Sequence, residues 1–310
     1  MKTITPYYHR HRKIIKGEGA LLALKDILIS YKATTPLYIF PPNPRMEKKI
    51  ASLHSTIGNS EFIQYSPDID LSLFDSLIIY GGRDELEIYN LISIRISPSL
   101  PIIHIVSGLL EGNEYTNLKK PTDVIIYDKK VSSHLKTSEI GSMMSVMLFY
   151  LFSTAYEDTN PFTKSRLTYI VTTAASLINE ERETASFGTI SLLHEVGEVA
   201  SNGKKVSLVS LMEHLVVPSF CTLSQSAATL LLPLVRFIKQ TNTALYSTIQ
   251  NTLEGQSIEE FCSYWINLSP LEGLDTILQH LITHMYQLLE TKESSSTLHK
   301  FLSSLKEGKL

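Results

Sequence analysis

LFDSLIIYGGRDELEIYNLISI, from Leu73 to Ile94, is followed by SPSLPIIHIVSGLLEGNEYT from Ser97 to Thr116, and then by KPTDVIIYDKKV from Lys120 to Val131. Leu77 to Tyr80 is a short β-rich apolar run that ends in the glycine pair Gly81-Gly82. A segment with Glu85, Leu86, Ile88 and Leu91 follows and suits a helix. Pro101 to Val106 is a second apolar run, closed by a turn holding Ser107-Gly108. Val124 to Tyr127 is a third, closed by Asp128. Strand, glycine turn, helix, strand, glycine turn, strand is the pattern of a nucleotide-binding α/β sheet.

Upstream, Lys13-Ile14-Ile15 before Gly17-Glu18-Gly19 predicts a strand and a tight turn, and Ala20 to Ser30 has apolar residues at helical spacing. Leu37 to Phe40 reads as a strand stopped by Pro41-Pro42-Asn43-Pro44, Arg45 to Ile57 as a helix, and Glu61 to Tyr65 as a short strand. Beyond about residue 135 strand signals fade and helical segments take over. They run from Ser142, Lys164, Phe187, Val206, Leu223, Ala244, Ile258 and Leu274, with a last short helix after Ser294-Ser295-Ser296. Asn160-Pro161, Asn202-Gly203 and Ser269-Pro270 punctuate them. The expected architecture is an N-terminal α/β, Rossmann-like, largely parallel-sheet domain over 1–134 and a C-terminal all-helical domain over 135–310. The expected ligand site is the cleft between them.

Composition narrows the function classes. The chain has 310 residues, 43% hydrophobic and 19% charged, with a formal net charge of −3, an ordinary globular balance. That charge favours neither nucleic acid nor a membrane surface. The basic run His9 to Lys13 is isolated and reads as a solvated lead-in to a strand. Two cysteines, Cys221 and Cys262, give neither a disulfide framework nor a CxxC site, which suits a reducing compartment. Met1 to Lys16 lacks an apolar leader segment, and the apolar window Ala227 to Val235 is too short to span a bilayer. A cytoplasmic protein is expected.

The order of these motifs resembles the superfamily of iron-containing alcohol dehydrogenases, glycerol dehydrogenases and dehydroquinate synthases. Ile14 to Ala20 is similar to that family's opening strand and G-x-G-A/S turn. Ile78 to Arg83 stands at its GGGS pyrophosphate loop, and Pro101 to Glu114 at its P-x-x-x-x-P-T-T-x-x-T-G-S-E segment. Pro121 to Asp128 resembles the strand after it, Gly141 and its helix the G-x-D-x-x-x-H helix, and Ser224 to Pro233 the HG-x-A-x-A-x-L-L-P helix. The resemblance implies a dehydroquinate synthase-like fold, NAD(P) and a divalent metal as cofactors, and a homodimer. It carries Gly81, Gly82, Arg83, Ser107 and Gly108 over as nucleotide contacts.

The departures from the family pattern bear on function. Tyr80 replaces the first glycine of the triplet and Arg83 its serine, whereas those positions let backbone N–H groups approach the pyrophosphate. Gly108 and Glu111 replace threonines, and Glu111 puts a carboxylate beside an anionic cofactor. A metal site needs an acidic oxygen and imidazole nitrogens. The implied ligand positions hold Met143, Met147 and Ser224, with His214 as the one remnant, so no metal is expected.

Other residues invite weighing. His280 and His284 have metal-ligand spacing but no intervening glutamate, so a surface or interface face is the expected role. His194, Glu195 and Glu198 read as a solvated helical face. His104 reads as a satisfied core histidine and Cys221 as core. Tyr80 and Tyr127 read as packing residues, with a place in a remodelled pocket as the alternative. No Ser/His/Asp or Cys/His arrangement converges, so no catalytic residue is assigned.

The favoured reading is a diverged relative that has lost the metal site and binds a small molecule or nucleotide, or serves as an accessory protein. One alternative is an active NAD(P)-dependent alcohol or polyol oxidoreductase whose metal ligands have moved to His194, His214 or the His280/His284 pair. The other is a metal-independent enzyme reusing the cleft.

Overall fold

The computed structural model describes residues 5–9, 12–42, 44–57, 63–107, 110, 118–132, 135–158, 160–202, 208–209, 211, 221–269, 276–279, 283 and 296–310. The chain divides into two compact units, Met1–Leu135 and Lys136–Leu310.

The first unit is a seven-stranded sheet with helices. Its strands are β1 (Thr5–His9), β2 (Arg12–Gly17), β3 (Pro36–Ile39), β4 (Ile63–Gln64), β5 (Ser76–Gly81), β6 (Ile102–Val106) and β7 (Val124–Asp128). Their order across the sheet is β1-β2-β7-β6-β5-β3-β4. All neighbours run parallel except β1, which pairs antiparallel with β2 and places His9 opposite Arg12. Arg12 and Lys13 of the basic run open β2, as a strand lead-in would. His9 ends β1, whose pairing with β2 composition alone does not announce. Every residue of β5, β6 and β7 is buried, as expected for parallel strands covered on both faces.

The helices of this unit are α1 (Leu24–Ser30), α2 (Pro44–Ile57), α3 (Arg83–Ile92) and the short α4 (Lys129–Ser132). On one face of the sheet, Ile15, Tyr38, Ile78, Ile103 and Ile126 pack with Leu24, Ile27 and Leu28 of α1 and Ile50 of α2. The turn after β2 uses Gly17 at φ 142° and Gly19 at φ 81°, backbone that an L side chain rarely adopts. Asp128, at the end of β7, locks that turn. Its carboxylate accepts the Leu21 N–H at 2.8 Å and the Lys130 N–H at 2.9 Å.

The chain leaves β3 outward to β4 and then returns to β5 on β3's other side, so strand order reverses at β3/β5. The carboxyl ends of strands at such a reversal are the ligand-binding edge of open α/β sheets.

The second unit is helical: α5 (Thr137–Glu157), α6 (Pro161–Ser176), α7 (Arg182–Asn202), α8 (Leu223–Thr241), α9 (Thr243–Thr252), α10 (Ile258–Leu268) and α11 (Ser296–Lys306). At its centre lies α5, buried without a break from Ile140 to Ala155; a helix apolar on all sides belongs in a core. A Cβ added at Gly141 would stand 2.8 Å from the Trp265 carbonyl oxygen and 2.6 Å from Leu268 Cβ. Glycine therefore lets α5 and α10 approach backbone to side chain. The caps follow the sequence signals. Asn160 accepts the Phe162 N–H ahead of Pro161, and Thr222 with Gln225 and Ser257 with Glu260 form capping boxes.

The expected helices from Val206 and Leu274 fall largely outside the described residues, with Leu208 and 276–279 helical where described. Among the described residues no helix is long and apolar enough to cross a membrane.

Candidate functional site

The stretch that frames the sequence reading builds the carboxyl edge of the sheet. β5 delivers Tyr80 and Gly81 to that edge and α3 begins immediately after Gly82. The first turn of a helix leaves N–H donors without intrahelical partners, and the helix dipole makes that end attractive to anions. Here the chain supplies its own anion. The Gly82 N–H donates to Glu85 Oε2 at 2.8 Å, the carboxylate half of a capping box.

Glu85 is buried, at 8% exposure. Its carboxylate lies directly over Gly81, so that an added Cβ there would collide with Glu85 Oε2, Cδ and Cγ. Burial raises its pKa, followed by the nearby Asp84 charge, while the N–H bonds of Gly82 and of Glu85 itself oppose the rise. A negative group is thus held at the place where the phosphate-binding loops of this architecture hold phosphate.

The neighbouring groups are engaged as well. The Gly81 carbonyl accepts the Ser107 N–H at 3.0 Å and, at 3.2 Å, the Nε2 proton of His104. His104 is fully buried, and burial lowers its pKa to about 4 despite the bond to Gly81. It is the satisfied core histidine that its strand position predicts. Arg83 turns along the outside of α3, its Nε 2.8 Å from Glu87 Oε1, with both side chains exposed.

Of the five residues the resemblance carried over, Gly81, Gly82, Arg83 and Ser107 come together at this edge; Gly108 lies outside the described residues. Glu85, which the sequence reading did not single out, is the group that occupies the edge. The signal for it was present, because a glutamate three residues after an N-cap is the capping-box position.

The implied metal positions lie in the helical unit. Met143 and Met147 are buried in the core of α5, at 1% and 2% exposure. Thr222 and Gln225 form the cap of α8, with Ser224 Oγ 3.0 Å from Thr222 Oγ1. Thioethers, a capping hydroxyl and an amide do not match the oxygen and imidazole set that a hard divalent cation needs. His214, His280 and His284 lie outside the described residues, as do the side chains of His194 and Glu198. Glu195 corrects the sequence reading. It is buried rather than solvated, and pairs with Arg166 of α6 at 2.5 Å, because α6 packs on α7 and brings that cation to it. Cys221 is buried, as its core role predicts.

The first unit also holds a cavity of about 640 Å3 on the α1/α2 face of the sheet, within the range of small-molecule sites. Tyr80 lies in its wall. That side chain is 4% exposed, and its phenol is pushed up to about 12, first by burial and then by the charge of Asp128. Lys25, Lys48, Lys49 and Lys130 also line the cavity. The Lys48-Lys49 pair is visible in the sequence, but its convergence with residues 25 and 130 depends on the fold. Tyr127, by contrast, is fully buried.

No protein-family model matches the chain, and no curated protein matches it in sequence. Solved structures do match over essentially the whole length. Maleylacetate reductase from Rhizobium sp. superposes with a TM-score of 0.73 at 15% identity, covering 99% of each chain. Sulfoacetaldehyde reductase from Bifidobacterium kashiwanohense, in complex with NAD+, gives 0.72 at 11% identity, covering 98% of this chain and 99% of its own. An iron-containing alcohol dehydrogenase from Corynebacterium glutamicum gives 0.70 at 14% identity, covering 98% and 97%. The chain thus shares the fold of the iron-containing alcohol dehydrogenases.

Proposed function

We propose that this chain is a ligand-binding or accessory protein on the iron-containing alcohol dehydrogenase fold, and that it does not carry out metal-dependent hydride transfer. The observation that carries the reading is the Glu85 carboxylate on the Gly82 N–H. A pyrophosphate approaching the start of α3 meets a like charge and must first displace it. Met143 and Met147 in the α5 core support the same reading, since neither offers an oxygen or nitrogen donor.

The test is steady-state spectrophotometry of NADH and NADPH oxidation against short aldehydes and ketones, with zinc, ferrous iron or manganese added. The expected rate is that of the buffer. Metal-dependent turnover that a chelator abolishes would overturn the reading.

A further inference from the structure

We propose that the cavity on the α1/α2 face binds a small, soluble phosphorylated molecule with an apolar body. This rests on the reading that the chain keeps a ligand, and it gives that ligand a place and a chemistry.

Four lysines line the cavity, and among the described residues its lining contains no carboxylate. Positions 48, 49, 52 and 53 share one side of α2, which turns Lys48, Lys49 and Ser52 toward the cavity with Leu53. Lys25 reaches it from α1 and Lys130 from α4. Asp128, two residues before Lys130, has both oxygens on backbone N–H groups. The four lysines are solvent-exposed and gather around one cavity in a chain whose net charge is −3, so the site is locally positive. A concave site of one sign also concentrates the opposite charge.

Ammonium groups without arginine forks suit phosphate, which they hold as point charges. Apart from Ser52 and Tyr80, the remaining lining is aliphatic, with Leu24 and Val131 buried and Leu22 left 79% exposed. An apolar group of the ligand would cover that surface. A dinucleotide fits less well. The end of β3 reads Phe40-Pro41-Pro42 and offers no carboxylate for ribose hydroxyls. Tyr80 is packed into the core and shows no open face for a base to stack on.

The experiment is calorimetric titration of the full chain with octyl phosphate, octanol, inorganic phosphate, ADP and vesicles containing phosphatidic acid. Octyl phosphate is expected to bind saturably, at least about tenfold tighter than inorganic phosphate or octanol. The exposed-lysine variant Lys48→Ala/Lys49→Ala/Lys130→Ala should weaken it on the order of tenfold. Leu22→Ser should weaken octyl phosphate and leave inorganic phosphate unchanged. Equal affinity in the lysine variant, tighter binding of ADP, or binding to vesicles without binding of octyl phosphate would each overturn the assignment. Failure of the lysine variant or binding to vesicles alone leaves the Glu85 reading untouched, and NADH oxidation tests metal-dependent hydride transfer separately.

Discussion

Glu85 and His104 both meet Gly81 and hold the edge of the sheet by opposite means. Glu85 is an acid whose native pKa is raised by burial. Between its unfolded pKa and that raised value the native state binds the extra proton, so its ionised form costs stability at neutral pH. Glu85→Gln keeps an acceptor for the Gly82 N–H and removes the buried charge. It is expected to match or exceed the parent in urea unfolding at pH 7, whereas Glu85→Ala should lose about 1–2 kcal/mol.

His104 has the opposite linkage. Its native pKa of about 4 lies below the ordinary 6.5, so the unfolded chain binds the extra proton between those values. Its contribution is fully present above pH 6.5 and is lost as pH falls toward 4, by up to about 3 kcal/mol. Unfolding free energies measured across that window should show the slope, and His104→Asn should flatten it. The histidine's role was legible from its place in an apolar run. The glutamate's was not, because its significance lies in the carboxylate folding back over a glycine three residues earlier.

At the scale of elements, the sequence signals that held were those with a local cause. Asn160-Pro161 starts α6, and the run from Leu223 does become α8 behind a Thr222 cap. Thr222→Ala should cost about 1 kcal/mol in thermal unfolding, and Thr222→Ser should recover most of it. What was not legible arises between elements. β1 owes its strand to pairing with β2, and Glu195 owes its burial to Arg166 on another helix. Gly141 belongs to the same class. A resemblance can point to it, but its cause is the contact with Trp265 and Leu268. Gly141→Ala would press a methyl group onto α10 and should lower stability by about 1–3 kcal/mol, read by chemical denaturation.

For the whole molecule, fold and function separate. The alternation of strands and helices, then helices alone, was enough to reach the architecture, because that order reflects periodicity and glycine turns along the chain. The iron-containing alcohol dehydrogenase fold was reached through the resemblance of motifs in their order. The candidate site was only half legible. The sequence placed Gly81, Gly82, Arg83 and Ser107 at one edge but did not reveal what fills it, and the Lys48-Lys49 pair meets Lys25 and Lys130 only once α1, α2 and α4 are on the sheet. Calorimetric titration of NADH into the full chain, with and without zinc or ferrous iron, most directly tests whether Glu85 closes the phosphate loop. Heats with no saturation, corresponding to a Kd weaker than about 1 mM, are expected with or without metal. Saturable micromolar binding by the parent chain would contradict the closed loop.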